Sequence, residues 1–376
     1  MHIAVIGGGA VGATAAYDLA RRDASVTVYE RADRIGVGGS TGRAAGVINS
    51  AYTDRTDAEI ASRALERFRE WSGEGDFELI ETPNVQVVRD GDERRAGRLR
   101  EQTARMRELG ADVELVDAEE IADRYPSLRT DDVAVAAVAS DAGYAEPGAF
   151  ARAVGERARA AGAEIRTGVE ARLRTTTDGI VVTDGARAAS DDERRFDAVL
   201  VAAGPRTKQV LADAGIPVPL KPYRVQALTT ATAPELPMVF DATGGFYLRP
   251  HDDGLLFGNG TEEREVDPSE YDRTADETFV TEARDRIRSR VVGVDPDVTD
   301  AWAGLCVATP DRNPLVGPVV ENVFVAAGWQ GHGFMRSPAT GELAADAVLG
   351  GDPIETFDPR RFDGDEEFEV VEGMAV

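Results

Sequence analysis

The chain opens on an apolar run with no polar interruption, "IAVI" at 3–6, which passes directly into glycine. Such a run, bounded by a turn residue, reads as a buried strand. Small apolar residues then keep helical spacing to about Arg22, and "SVTVYE" (25–30) reads as a second strand. Together they make a complete strand–helix–strand unit. A Gly/Ser/Ala-rich loop covers 31–50, and the stretch 57–72 is helical. A strand pair is expected within 76–89, then an arginine-rich amphipathic helix over 92–109. After Asp131 the pattern gives a helix at 148–163, a hairpin over 164–184 and a buried strand at 196–204 that ends in a glycine turn. Residues 221 to about 300 read as strands with one helix near 270–291. "NVFVAAG" (322–328) is again a buried strand, and it enters a helix near Gly331–His332–Gly333.

There is no internal repeat and no Pro- or Ser-rich linker, so the pieces of the domain built on this strand–helix–strand unit must be interleaved with a second, β-rich domain. The expected division is 1–80, 145–220 and 300–376 for the first, and 81–144 and 221–299 for the second. A length of 376 residues exceeds what one compact core usually holds, and 42% hydrophobic residues suffice to bury proper cores.

Charge changes the picture more than hydropathy does. The net charge is −26, and of 42 basic residues only Lys208 and Lys221 are lysines. Acidic clusters such as Asp191–Asp192–Glu193 and "DGDEEFE" (363–369) read as solvated surface. This balance opposes binding to nucleic acid or anionic membrane, and it fits a salt-rich cytoplasm where screening relieves self-repulsion. The single cysteine, Cys306, excludes a disulfide framework and suggests a reducing, cytoplasmic setting. The longest small-apolar stretch, Val133 to Ala139, is far too short to span a membrane, and with a strand beginning at His2 no leader peptide is expected.

Gly7, Gly9 and Gly12 form G-x-G-x-x-G between the first strand and the first helix, with Ala10 and Val11 opening that helix. Gly7 permits the tight turn, Gly9 lets the backbone approach a pyrophosphate at the helix N-terminus, and Gly12 allows close helix packing. Glu30, which ends the second strand, can accept hydrogen bonds from a ribose 2′-hydroxyl and would repel a 2′-phosphate; Arg31 follows it. Two further glycine turns, "VAAG" at 201–204 and 325–328, and the loop "GGSTGRAAG" (38–46) argue for a large two-part cofactor. A second helix N-terminus near residue 331 suits a flavin, whose N1–C2=O region gains negative charge on reduction.

At this point the chain resembles the D-amino-acid oxidase-type superfamily of FAD enzymes, in the branch of sarcosine oxidases, glycine oxidases and amine dehydrogenases. The resemblance is carried by "IAVIGGGAVGATAAYDLA", Glu30, "GYAEPGAF", "GVEA" (168–171), "VLVAAG", "FYLRP", "WAGLCVATPDRNPLVGP" and "GWQGHGFMRSPATGELAA", in that order, from Met1 to about Gly350. It implies an α/β fold in which a Rossmann-like FAD domain of the glutathione-reductase type is interleaved with a β-rich α+β substrate domain. Val169 would contact the adenine part through its backbone. Ser40 and Thr41 would lie by the pyrophosphate and ribityl chain. Ala203, Gly204, Gly331, His332, Gly333 and Met335 would line the flavin end.

The resemblance also bears on the chemistry. At the position of Cys306, glycine-oxidase-like relatives typically carry an arginine that grips the substrate carboxylate. Sarcosine oxidases have a flavin-linked cysteine in this region, but two residues farther from its aspartate than Cys306 is from Asp311. Cys306 therefore reads as a pocket wall beside noncovalent FAD, with a covalent link as the alternative. The carboxylate anchor is expected from Arg249 first and Arg43 second, and Tyr247 matches an active-site tyrosine. Arg249, two residues beyond Tyr247 on a strand, shares its face. Arg336 lies one turn beyond His332. His332 would stabilise the reduced flavin or orient the amine, or else cap its helix; His2 and His251 read as structural or surface. The lysine that follows "GHGF" in sarcosine oxidases is Met335 here. Their oxygen-activating lysine has no counterpart among Leu255, Leu256 and Phe257, which favours a dehydrogenase over an oxidase.

The expected activity is oxidation of a small amino acid or secondary amine, of sarcosine, proline-like or glycine type, by hydride transfer to flavin N5 and hydrolysis of the imine. The electron acceptor is left open. A 2-hydroxy-acid dehydrogenase and an FAD-binding subunit of a larger complex with a partner subunit are the alternatives. The acid-rich, lysine-poor surface predicts a melting temperature that falls as molar KCl is withdrawn; a thermal melt unchanged by that withdrawal would remove the salt-adaptation reading.

Overall fold

The structure, a computed structural model, describes residues 1–176, 179–184 and 193–371. Asp191–Asp192 of the expected acidic cluster, and 177–178 of the expected hairpin, lie outside the described residues. Two large sheets organise the chain. The first has six strands in the order Leu315–Val320, Val323–Ala327, Ala198–Val201, His2–Ile6, Ser25–Glu30 and Glu164–Thr167. All neighbours are parallel except the outermost pair, 315–320 with 323–327. Parallel strands need crossovers that cover the sheet, and both faces are covered here. Helices Ala10–Ala20, Pro147–Ala160 and Gly333–Val348 form one side, and a second apolar cluster lies on the other. Burial on both faces is why the central strands His2–Ile6, Ala198–Val201 and Val323–Ala327 carry nearly unbroken apolar runs.

Helix Ala10–Ala20 is buried along its whole length. It is built mostly from small residues because its neighbours come close: a Cβ on Gly341 of the last helix would lie 2.5 Å from Thr14 Cβ.

The second sheet has eight strands in the order Val298–Ala308, Lys221–Thr230, Gly254–Thr261, Phe246–His251, Met238–Asp241, Asn84–Arg89, Val133–Ala139 and Val113–Val116. Its pairings are antiparallel except 238–241 with 84–89. Helix Glu277–Arg290 packs on one face, and helix Glu93–Glu108 covers the far end of the other. A small sheet of Val47–Asn49, Ala142–Tyr144 and Ile80–Glu81 lies alongside.

Several expectations are corrected. The strands within 76–89 exist but do not pair with each other. Ile80–Glu81 joins Gly143–Tyr144, while Asn84–Arg89 is drawn between two strands of the large sheet. Only the second half of 164–184 is a hairpin, since Glu164–Thr167 lies beside Ser25–Glu30 in the first sheet. The helix expected from 270 starts at Glu277, because Gln226 and Arg224 hold Asp276 and Thr274 in an extended approach. The boundary expected at residue 300 falls inside the strand 298–308, which belongs to the antiparallel sheet through its pairing with 221–230.

The second sheet is fastened to its helix by a buried ion cluster. Asp241 is fully buried and accepts from Arg290 Nη2 at 2.7 Å, Arg89 Nη2 at 2.8 Å and the Gly244 N–H at 2.7 Å. Arg290 also reaches Asp132 at 2.8 Å. Removing the shared carboxylate leaves the buried Arg290 and its neighbour Arg89 with only the partly exposed Asp132 as counter-charge. Asp241→Ala should cost about 3–5 kcal/mol, read as a lowered denaturant midpoint at constant salt.

Candidate functional site

Between the two sheets lies a cavity of about 910 Å³, lined by loops of the first sheet and one face of the second. That is the upper end of the size range for small-molecule and cofactor sites. Gly7, Gly9, Ala10, Val11, Glu30, Arg31, Ser40, Thr41, Val169, Ala203, Gly204, Gly331, His332, Gly333 and Met335 all line it, so these sequence-derived positions converge in space. The glycines are there for want of room. A Cβ on Gly7 would sit 2.4 Å from Ala202 O, and one on Gly12 would sit 2.0 Å from Gly7 O. Two helices, Ala10–Ala20 and Gly333–Val348, aim their N-termini into this one cavity, which gives it two positive dipole ends.

The polar groups at the nucleotide end are already engaged locally. Glu30 accepts from Gly8 N at 2.8 Å and from Ala32 N at 2.7 Å, which fixes its carboxylate at the cavity wall. The Thr41 hydroxyl accepts from the Ala10 N–H at 3.1 Å. Val169 donates its N–H to Glu30 O at 3.0 Å, so any backbone contact from Val169 to a ligand runs through its carbonyl. Burial, with Arg31 nearby, holds the Arg206 guanidinium below its usual range. The loop around 40–43 is tied to the second sheet. Ser40 Oγ donates to Leu305 O at 2.5 Å, Arg43 Nη1 to Ala303 O at 3.2 Å, and Trp302 Nε1 to Arg43 O at 3.0 Å.

The floor of the cavity is one cross-strand row of the eight-stranded sheet. Gln86 pairs with Phe240, Phe240 with Tyr247, Tyr247 with Gly258, Gly258 with Ala227, and Ala227 with Trp302. Cross-strand partners face the same side, and every member but Gly258 lines the cavity. Gly258 is covered because the Tyr247 ring lies across it; a Cβ there would fall 1.9 Å from Tyr247 Cζ. Burial pushes the Tyr247 phenol well above its usual range. Gly258 was not among the sequence candidates, although a glycine inside a strand signals close approach of another group. Tyr52, Tyr223, Gln86 and Gln102, which also line the cavity, had no motif to mark them.

Arg249 is corrected as the carboxylate anchor. It shares the Tyr247 face but is fully buried and does not line the cavity. Its guanidinium donates to Ala45 O, to Pro250 O at 2.7 Å and to Glu146 Oε1 at 3.0 Å. His251 and Arg249 together hold the Glu146 carboxyl down at about 2, so this ion pair stays charged. Arg43 does line the cavity. Arg336 is buried in an ion pair with Asp57 at 2.6 Å and reaches His332 Nδ1 at 3.3 Å, away from the cavity wall. His332 makes no side-chain cap to its helix. Burial, reinforced by Arg336, lowers its imidazole to about 3.

Cys306 pairs with Tyr223 on the adjacent strand, and its Sγ would lie 3.9 Å from a Cβ on Gly331. Burial pushes the thiol up to about 11, against a smaller opposing effect of a Tyr223 hydrogen bond. At neutral pH it is a thiol, which is not the nucleophilic form.

A family model described as "FAD dependent oxidoreductase" (DAO) matches residues 2–347. The chain is 28% identical to 4-methylaminobutanoate oxidase (formaldehyde-forming) of Paenarthrobacter nicotinovorans, over 96% of its own length and 45% of the relative's. It thus spans about half of that relative. It is also 28% identical to the glycine oxidase of Geobacillus kaustophilus (strain HTA426), over 92% of both chains. Among solved structures, an L-proline dehydrogenase from P. horikoshii superposes with a TM-score of 0.83 at 28% identity, covering 96% of this chain and 97% of that one.

The cavity's residues fit FAD: a glycine cradle closed to any Cβ, an anchored Glu30 carboxylate, and two helix N-termini that open into one large cleft. A protonated Cys306 predicts noncovalent binding. Acid or heat precipitation should release the yellow colour fully into the supernatant, and Cys306→Ala should still purify with flavin bound; colour retained in the pellet would show a covalent link.

Proposed function

Because the chain belongs to the DAO family of FAD dependent oxidoreductases, we propose that it oxidises a small amino acid or secondary amine of sarcosine, proline-like or glycine type. FAD, when bound, would supply the electron acceptor for a hydride leaving the substrate Cα–H, and the product imine would hydrolyse in water.

The observation that carries this reading is the state of His332. A guanidinium can only donate, so the 3.3 Å contact from Arg336 makes Nδ1 the acceptor and leaves the proton on Nε2. The imidazole is therefore neutral, able to donate a hydrogen bond and too weak a base to collect a proton at neutral pH. The carboxylates that line the cavity, Glu30, Glu170 and Asp213, belong to elements of its nucleotide side. A 2-hydroxy acid needs a base for its hydroxyl proton. An amine needs only to arrive deprotonated, with its nitrogen lone pair driving hydride loss. Positioning then suffices: Tyr247, held over Gly258, forms the floor, and Arg43, one of the arginines that line the cavity and the one whose guanidinium is fixed on the second sheet at Ala303 O, would receive the carboxylate.

Dehydrogenase rather than oxidase chemistry is favoured by the lysines. Lys208 pairs with Glu265 at 2.6 Å and Lys221 reaches Phe368 O at 2.6 Å, so neither stands over the cavity to stabilise superoxide.

Anaerobic addition of sarcosine, L- or D-proline or glycine should bleach the flavin absorbance, with slow return in air. The rate at limiting substrate should rise with pH as the amine loses its proton, with no inflection near 6.5 from His332. Arg43→Gln should raise the half-saturating concentration about tenfold or more. Bleaching by 2-hydroxy acids alone would overturn the reading.

A further inference from the structure

We infer that the substrate carries a neutral hydrogen-bonding group, an amide or a hydroxyl, at the end remote from its reacting carbon, and that Gln86 and Gln102 receive it. This rests on the amine-oxidising reading for the reaction but not for the binding. Gln86 lies two strands from Tyr247 along the floor row, which places it roughly 10 Å away. Gln102 comes down from helix Glu93–Glu108, with Met106 one turn along, and both line the cavity. Gln86 Nε2 and Gln102 Oε1 are buried and have no hydrogen-bond partner. Two orphaned amide atoms in one cavity are costly unless a ligand or water completes them. Flipping either amide exchanges donor for acceptor and leaves the demand unchanged.

The surroundings define the chemistry. Phe240, Met238 and Met106 supply apolar walls. Arg249, the cation nearest in register, is committed to Glu146 and to two carbonyls. Arg43 belongs to the opposite end of the row, beside Trp302 and Ala303. A distal carboxylate or ammonium would be buried here without a counter-charge. A group that both donates and accepts satisfies both glutamines. A molecule the size of glycine, held at Tyr247, would leave them to water.

The test uses the FAD-loaded protein and carboxylates that lack an oxidisable nitrogen, so binding is read apart from turnover. Glutaramate (one carboxylate, one amide), glutarate and hexanoate are titrated against the visible flavin spectrum. Glutaramate should bind about tenfold or more tightly than either of the others. Gln86→Leu should reduce that preference to near unity, as should Gln102→Leu on its more exposed helix, while flavin content and melting temperature hold. Equal affinities, a preference for glutarate, no binding of glutaramate, or variants that weaken all three ligands alike would overturn the inference. Failure of every amine to bleach the flavin would count against the amine reading alone.

Discussion

The architecture depends on how closely the first helix can approach its surroundings. Gly12 packs against the turn at Gly7, where any side chain would overlap the carbonyl, and Gly341 packs against Thr14. These contacts bring the helices Ala10–Ala20 and Gly333–Val348 side by side, although more than 300 residues separate them in sequence. Their N-termini consequently open into the same cavity. A bulkier residue at either contact would push apart two dipole ends that open into the one cavity.

The second sheet contributes a surface rather than a turn. The floor of the cavity includes a row across neighbouring strands, from Gln86 to Trp302, in which each residue comes from a different strand. Such a surface is rigid, because each side chain is set by cross-strand register. The cofactor loop is fastened to it through Ser40, Arg43 and Trp302, which couples cofactor placement to the substrate face.

The nucleotide half was largely legible in the sequence because its constraints are local. The buried strands announce themselves as unbroken apolar runs, and the glycines and Glu30 are set by turns only a few residues long. The substrate half was less legible. Alternation put Arg249 on the correct face, but its partners, Ala45 and Glu146, stand 204 and 103 residues away and take its guanidinium out of the cavity. The strands within 76–89 read as a strand pair because nothing local reveals that each has a better partner elsewhere. Gln86 and Gln102 are single polar residues in otherwise ordinary elements, and only the assembled cavity shows their amides to be unmatched.

The state of Cys306 has a practical side. It is the only cysteine in the chain, and a thiol pushed up to about 11 is ionised at neutral pH to roughly one part in ten thousand. Native protein should therefore react with maleimides very slowly. A cysteine introduced on an exposed helix, for example at Glu101, would become the one fast-reacting thiol in the molecule. A fluorophore or spin label could then be attached at a single chosen point without first stripping out the native sulfur.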